Sequence, residues 1–244
     1  QRPARELLPS PPHRVVGVIG ARRGLGAVHD GTQGTGGAER PPGCVTCDDR
    51  RVLSEQERAD LIDRAGEAPA LHRAGVTTVY HFSEDGTLKR FAPHVPPTNP
   101  SHPPAVWAID AAHAPLYWFP RHCPRVSVWA NDPDQHVVLR DRFGTEASRI
   151  SAAETGWFDR IRSTRLYRYE FDAAQFEPWE LADGQYVASD PVWADRVEVL
   201  DDLPALPTAA DVELRITPLL GALVDQVLAS GLPFSFVRIR DARR

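Results

Sequence analysis

Hydrophobic and polar residues alternate in short runs from about residue 77 to the C-terminus, a period of two that is typical of β-strands. The clearest run is Leu166-Tyr-Arg-Tyr-Glu-Phe171, which places Tyr167, Tyr169 and Phe171 on one face and leaves Glu170 on the other. The pattern predicts strands at 77–82, 105–109, 125–130, 165–171, 185–189, 196–200, 212–217 and 234–239.

Helical patterns are fewer, and they fall near 111–118, 154–163 and 218–230. The last has Pro218 in its first turn and Gly231 just beyond its end, as helix termini prefer. Because the helices are too few to alternate regularly with the strands, the sequence predicts an α+β fold with a mixed, mainly antiparallel sheet and a few packed helices.

The first part of the chain has a different composition. Residues 1–52 are rich in Pro, Gly and Arg and lack sustained apolar periodicity, so we expect this low-complexity segment to be largely disordered. Ser54 and Glu57 form a capping box for a helix at about 55–66, within a helical linker spanning 53–75. We predict that residues 76–244 form a single domain.

Two short motifs lie in the N-terminal segment. Gly20, Gly24 and Gly26 follow an apolar run and resemble the nucleotide loop of short-chain dehydrogenases, but the residues after them are not typical of the helix which that loop requires. Cys44 and Cys47 have the spacing of half a zinc knuckle without the second half, which favours two loop cysteines.

Charge and composition narrow the classes of partner. A net charge of -5 argues against general nucleic-acid or membrane-surface binding, and no apolar run is long enough for a membrane span. Three cysteines without a secretory signal pattern indicate a reducing, cytoplasmic location. The sequence identifies no macromolecular target.

The best candidate for a binding residue is His81, on the first predicted strand. Alternation places Val79, His81 and Ser83 on one face and Tyr80 and Phe82 on the other. His81 and Ser83 have the hydrogen-bonding groups to hold a ligand hydroxyl or phosphate. The alternative is a structural histidine bonded to a neighbouring carbonyl.

Further candidates follow the second predicted strand. Asp110 is placed to cap the next helix, and Pro115 should end or kink that helix. Tyr117 combines a ring with a polar tip, which suits a half-exposed ligand site. Arg121 and Arg125 flank a proline-bounded turn where guanidinium groups bind phosphate or form surface salt bridges, the latter being favoured for Arg125.

Carboxylates and metal ligands give weaker indications. Glu170 is interpreted first as part of an ion pair with Arg168, and Glu154 as a helix cap, although either carboxylate becomes a catalytic candidate if it points inward. The histidines at 81, 94, 102, 113 and 122 lack ligand spacing, so no metal site is predicted.

The segments Tyr80–Asp85, Val106–Asp110, Leu116–Val126 and Leu166–Glu170 resemble an uncharacterised bacterial family, a domain of unknown function that opens on a Tyr-His-Phe-Ser-Glu strand. More distantly, the order of a histidine, a tyrosine and an acidic residue resembles the His-Tyr-Glu arrangement of ADP-ribosyltransferase-like folds. That resemblance implies NAD as cofactor, a ribose hydroxyl held by His81 and a nicotinamide ring on Tyr117. It also implies a catalytic carboxylate, for which Glu170 is the choice and Glu154 the alternative. Arg121 would offset the charge of the pyrophosphate.

The late strand departs from the resemblance, because Gly184–Asp190 contains no glutamate. We therefore expect a domain that binds an NAD-like nucleotide, with ADP-ribosyl transfer as the activity that the resemblance implies. The alternative is a non-enzymatic binding or interaction module in which the aromatic residues are mostly core.

Overall fold

The computed structural model describes residues 52–67, 70–96 and 102–243. The predictions for the low-complexity segment, the glycine-rich motif and the cysteine pair therefore lie outside the described residues, apart from residue 52. Among the described residues, no helix combines the length and the apolar character that a membrane span requires.

The described residues form short strands and helices in an irregular order. The strands are β1 Thr78–Ser83, β2 Arg90–Phe91, β3 Val106–Ile109, β4 Arg125–Trp129, β5 Arg149–Glu154, β6 Leu166–Asp172, β7 Glu177–Pro178, β8 Gln185–Ala188, β9 Val192–Trp193, β10 Arg196–Leu200, β11 Val212–Thr217 and β12 Phe234–Val237. The α-helices are α1 Glu55–Glu67, α2 Pro133–Phe143, α3 Phe158–Ser163, α4 Leu206–Ala209 and α5 Gly221–Leu228, with 3₁₀ turns at Ala114–Tyr117, Thr155–Trp157, Ala173–Gln175 and Ile239–Asp241.

Two main sheets organise these elements. The larger has six strands in the order β10-β6-β1-β3-β8-β7, and the second has four in the order β11-β5-β4-β12. All of the pairings are antiparallel except that of β11 with β5. The predicted α+β class with a mixed, mainly antiparallel sheet is confirmed.

The two central strands of the four-stranded sheet, β4 and β5, are buried on both faces. One face, which carries Val126 and Ile150, packs against α2 and α5. Because side chains alternate along a strand, Arg125, Ser127 and Arg149 lie on the other face. Ala153 on that face packs with Leu166 and Leu200 of the six-stranded sheet. The segment between β3 and β4 runs between the two sheets, since arginines from the second sheet bind its carbonyls.

Helix α1, predicted within a linker, packs on the domain. Its Leu61 and Ile62 contact the core cluster that contains α5. Arg58 donates to both carboxylate oxygens of the buried Asp225 on α5, at 2.6 and 2.8 Å. The capping box is confirmed, because Ser54 and Glu57 exchange hydrogen bonds across the start of the helix.

Helix α2 and strand β5 are absent from the prediction, as are the shorter elements β2, β7, β9 and α4. Helix α2 is largely polar, and its ends are capped by Asp132 and by Gly144, which has a φ of +64°. Strand β5 is buried throughout, so its sequence does not alternate. The helix predicted near 111–118 is only the 3₁₀ turn Ala114–Tyr117, because Pro115 at its start lacks a backbone N–H.

Candidate functional site

His81 and Ser83 lie on the face of β1 that also carries Val79. The His81 ring packs edge-on against Phe91, and its Nδ1 lies 2.9 Å from the carbonyl oxygen of Trp107. Burial lowers the pKa of His81 below its ordinary value. Ser83 Oγ accepts the backbone N–H of Asp85 at 3.1 Å. His81 thus has the carbonyl contact expected of a structural histidine.

Tyr117 lies on the opposite side of the same strand. Its ring is parallel to that of Phe82, with an interplanar angle of 5° and centroids 6.4 Å apart. Its hydroxyl accepts a hydrogen bond from Gln185 Nε2 at 3.2 Å, and burial raises its pKa. Since neighbouring residues on a strand point to opposite faces, His81 and Tyr117 do not converge on one pocket.

Glu170 is on the Tyr117 side of the sheet. Glu170 on β6 is paired with Tyr80 on β1, and Tyr80 is paired with Ile109 on β3. Residues paired directly across neighbouring strands point to the same face of the sheet. Arg168 Nη2 binds Glu170 Oε1 at 3.1 Å and also binds Glu198. The structure therefore brings Tyr117 and Glu170 to one face, with the carboxylate of Glu170 in an ion pair.

Arg121 is exposed at the end of the segment between β3 and β4. Its backbone N–H donates to Glu84 Oε1 at 2.8 Å, which fixes the backbone beside the end of β1. No carboxylate of the described residues forms an ion pair with its guanidinium group. Arg121 therefore has a fixed backbone and a side chain that is free for an anion.

Arg125 differs from the predicted surface salt bridge. It is 4 % exposed, and it donates to the carbonyl oxygens of Leu116 at 2.7 Å and Cys123 at 3.2 Å. The surface interpretation is wrong, because β4 places this side chain between the two sheets. There it holds the segment on which Tyr117 lies.

A buried polar cluster that the sequence did not indicate begins at Asp110. Asp110 Oδ1 accepts the backbone N–H of His113 and faces His113 Nδ1, both at 2.8 Å. Asp110 was predicted to cap a helix at 111–118, but its side chain instead caps the turn that precedes the 3₁₀ turn, whose own N-cap residue is His113. Burial alone would raise the pKa of Asp110, but the hydrogen bonds from His113 outweigh it and hold the pKa below its ordinary value.

Arg149 and Trp129 complete this cluster from the second sheet. The Arg149 guanidinium lies 4.7 Å from the centre of the Trp129 ring, which also contacts the His113 ring at 5.7 Å. Arg149 Nη2 donates to the carbonyl oxygen of Ala112 at 3.0 Å, and burial lowers the pKa of Arg149 to about 10. Sequence analysis missed this residue because β5 carries no alternating pattern.

Glu154 is also buried, but it does not cap the helix that follows it. Both of its carboxylate oxygens accept the backbone N–H of Arg243, at 2.9 and 3.2 Å, which fixes the C-terminal segment. Among the described residues, no group of three or more potential metal ligands comes together.

The sequence was compared with protein families, curated proteins and solved structures. Residues 80–242, more than half of the chain, match a family of unknown function, DUF6886. The chain belongs to this family. No curated protein and no solved structure matches the DUF6886 chain. The resemblance to an uncharacterised family is thus confirmed, and the comparisons provide no support for a relationship with ADP-ribosyltransferases.

Proposed function

We propose that the DUF6886 domain binds an NAD-like nucleotide whose ring lies against the face of the six-stranded sheet that carries Phe82 and Tyr117. The observation that carries the proposal is the environment of Tyr117: its ring is half-buried, parallel to Phe82 and 5.7 Å from the Arg125 guanidinium, and its hydroxyl accepts a hydrogen bond from Gln185. A partly exposed aromatic ring in a fixed orientation is a suitable stacking surface for a planar base.

Arg121 supports the phosphate end of this ligand. Its guanidinium is exposed and has no ion pair among the described residues, while its backbone is anchored to Glu84. Guanidinium groups bind phosphate oxygens through two parallel hydrogen bonds, which fixes orientation as well as charge. A pyrophosphate therefore has one suitable cation close to the end of β1.

ADP-ribosyl transfer requires a carboxylate that stabilises positive charge developing at the anomeric carbon of the ribose. Glu170 shares the face of Tyr117, but it forms an ion pair with Arg168 that offsets its negative charge. Transfer on this site therefore requires Arg168 to release Glu170 when the ligand binds. We propose nucleotide binding as the function and transfer as the activity to be tested on it.

A non-enzymatic binding or interaction module is the second candidate. The ion pair between Arg168 and Glu170 favours it, because a paired carboxylate stabilises the transition state less than a free one. The position of His81, on the face opposite to Tyr117, favours it as well.

Isothermal titration with NAD tests the proposal by comparing variants of the two faces. Tyr117→Ala removes the stacking surface and should weaken NAD binding by roughly 5- to 100-fold, since loss of one base–aromatic contact costs about 1–3 kcal/mol. Ser83→Ala is the matched control on the other face and should leave the affinity unchanged. His81→Asn is a second control, because Asn retains a donor for the Trp107 carbonyl.

Nicotinamide release distinguishes the two candidates once binding is established. If the intact protein releases nicotinamide from NAD and Glu170→Gln abolishes this release, the domain is a transferase or a hydrolase of NAD. Binding without release identifies a binding module. Absence of NAD binding by the intact protein, or loss of binding in Ser83→Ala but not in Tyr117→Ala, refutes the proposed site.

A further inference from the structure

We propose that the cluster of Asp110, His113, Trp129 and Arg149 binds the primary carboxamide group of a small ligand. This inference does not depend on the nucleotide proposed above, because it arises from a different set of side chains. It rests on polar atoms in this cluster that are buried and have no partner.

Three of the buried polar atoms without a partner belong to side chains of this cluster, which neighbour one another. Asp110 is 1 % exposed, Trp129 4 % and Arg149 7 %. Yet Asp110 Oδ2, Trp129 Nε1 and Arg149 Nη1 all lack a hydrogen-bond partner. Buried polar groups are usually paired, and each unpaired group costs free energy. Three such atoms on neighbouring side chains indicate a site for a polar group.

The hydrogen-bonding state of these atoms defines what they bind. Arg149 Nη1 and Trp129 Nε1 are donors only. Asp110 keeps its carboxylate ionised, since the hydrogen bonds from His113 hold its pKa low, so Oδ2 is an acceptor. An ionised Asp110 requires a proton on His113 Nδ1, which faces Asp110 Oδ1 at 2.8 Å. The unpaired atoms of the cluster therefore offer two donors, Arg149 Nη1 and Trp129 Nε1, and one acceptor, Asp110 Oδ2.

A primary carboxamide has the complementary set of groups. Its oxygen accepts two hydrogen bonds and its NH₂ group donates two. A carboxylate or phosphate of similar size would satisfy Arg149 and Trp129, but it would place a negative oxygen against the free Oδ2 of Asp110. Asp110 thus selects against an anion where Arg149 alone would favour one.

Gly184 closes one side of the cluster. Gly184 packs directly on the pair of Asp110 and His113, since an added Cβ would lie 2.8 Å from Asp110 Oδ1 and closer still to the His113 ring. His113 Nε2 has no hydrogen-bond partner among the described residues. Unlike Asp110 Oδ2, Trp129 Nε1 and Arg149 Nη1, it is not fully shielded from solvent. The His113 side of the cluster is therefore the route of entry.

Propionamide and propionate provide a matched test, because they share size and shape and differ in charge and donors. Both are titrated into the full chain labelled with ¹⁵N, and the indole N–H signal of Trp129 is followed, assigned through Trp129→Phe. We expect propionamide to shift this signal with at least roughly tenfold higher affinity than propionate, from one mismatched buried hydrogen bond.

Asp110→Asn should reverse this preference. The Asn carbonyl keeps the two bonds to His113 and its NH₂ group replaces the acceptor Oδ2, so propionate should now bind more tightly than propionamide. Asp183→Asn is the control, because Asp183 is a neighbouring carboxylate whose charge also acts on Arg149. Its removal changes the charge equally but should leave the preference for propionamide intact.

Three results would overturn the proposal. Equal or tighter binding of propionate by the unmodified protein would show an anion site. Reversal of the preference by Asp183→Asn would show that charge alone decides. A Trp129 signal that neither compound shifts would show that the cluster takes no ligand of this class. The first and third results need no variant, so the test does not depend on the folding of Asp110→Asn.

Discussion

Replacement of Gly184 by alanine measures how tightly the buried cluster is closed. Gly184 has a φ of +64°, a conformation that costs a residue with a side chain about 1–2 kcal/mol. An added Cβ would also lie 2.6 Å from His113 Cγ and 2.8 Å from Asp110 Oδ1. Forcing extra volume into a packed site costs about 1–3 kcal/mol more. We expect Gly184→Ala to lower the free energy of unfolding by roughly 2–5 kcal/mol.

Gly144 provides the matched control, because it has the same φ of +64° and nothing within 4 Å of an added Cβ. Gly144→Ala therefore measures the backbone cost alone, about 1–2 kcal/mol. Urea denaturation followed by fluorescence gives both free energies of unfolding, and equal slopes in the two variants validate the comparison. The difference between the two variants isolates the clash at the cluster.

A third variant locates the clash. Addition of His113→Ala to Gly184→Ala removes the ring that the new methyl group meets, so the two substitutions together should cost less than the sum of their separate effects. Equal losses for Gly184→Ala and Gly144→Ala, or simple additivity with His113→Ala, would refute the close packing of Gly184 on His113.

Three further predictions concern other parts of the domain. A double-mutant cycle between Arg58→Met and Asp225→Asn, measured by urea denaturation, should give a coupling free energy of about 1–2 kcal/mol. The value is moderate because the Arg58 side chain is 34 % exposed. A coupling of zero would contradict the packing of α1 on the domain. Burial raises the pKa of Cys123 to about 12, which keeps its thiol in the unreactive protonated form. In a variant whose other two cysteines are replaced by serine, a thiol reagent should therefore label the protein only in denaturant. Because burial lowers the pKa of His81 below its ordinary 6.5, the unfolded chain takes up a proton first as the pH falls, and stability should decrease below about pH 6.5. His81→Asn should reduce this dependence, and an unchanged pH profile would contradict the assignment.

Local patterns identified most of the strands. The alternation in Arg196–Leu200 and Val212–Thr217 predicted those strands with the bounds that the structure has. Alternation follows from a strand with one face in the core and the other towards solvent. Strand β5 is buried on both faces and helix α2 is polar, so neither has the periodic contrast on which the prediction depends.

The candidate site was predicted in part. Alternation along β1 correctly placed His81 and Phe82 on opposite faces. The position of Asp110 after a strand indicated that it binds a backbone N–H of the following turn, although no helix follows. The face on which Tyr117 packs was not predictable, because it depends on how the segment after β3 folds back over the sheet. Arg125, which begins β4 directly after that segment, and Arg149 on β5 hold the segment from the second sheet.

The sequence by itself therefore determined the fold class, most of the strands and the family, because these depend on short-range periodicity and on residues adjacent in the chain. Only the tertiary structure decided which polar residues meet. Asp110, Trp129 and Arg149 come from two different sheets, and Gly184 approaches them from a distant turn. Such contacts depend on how the sheets pack on each other, and no local pattern encodes that packing.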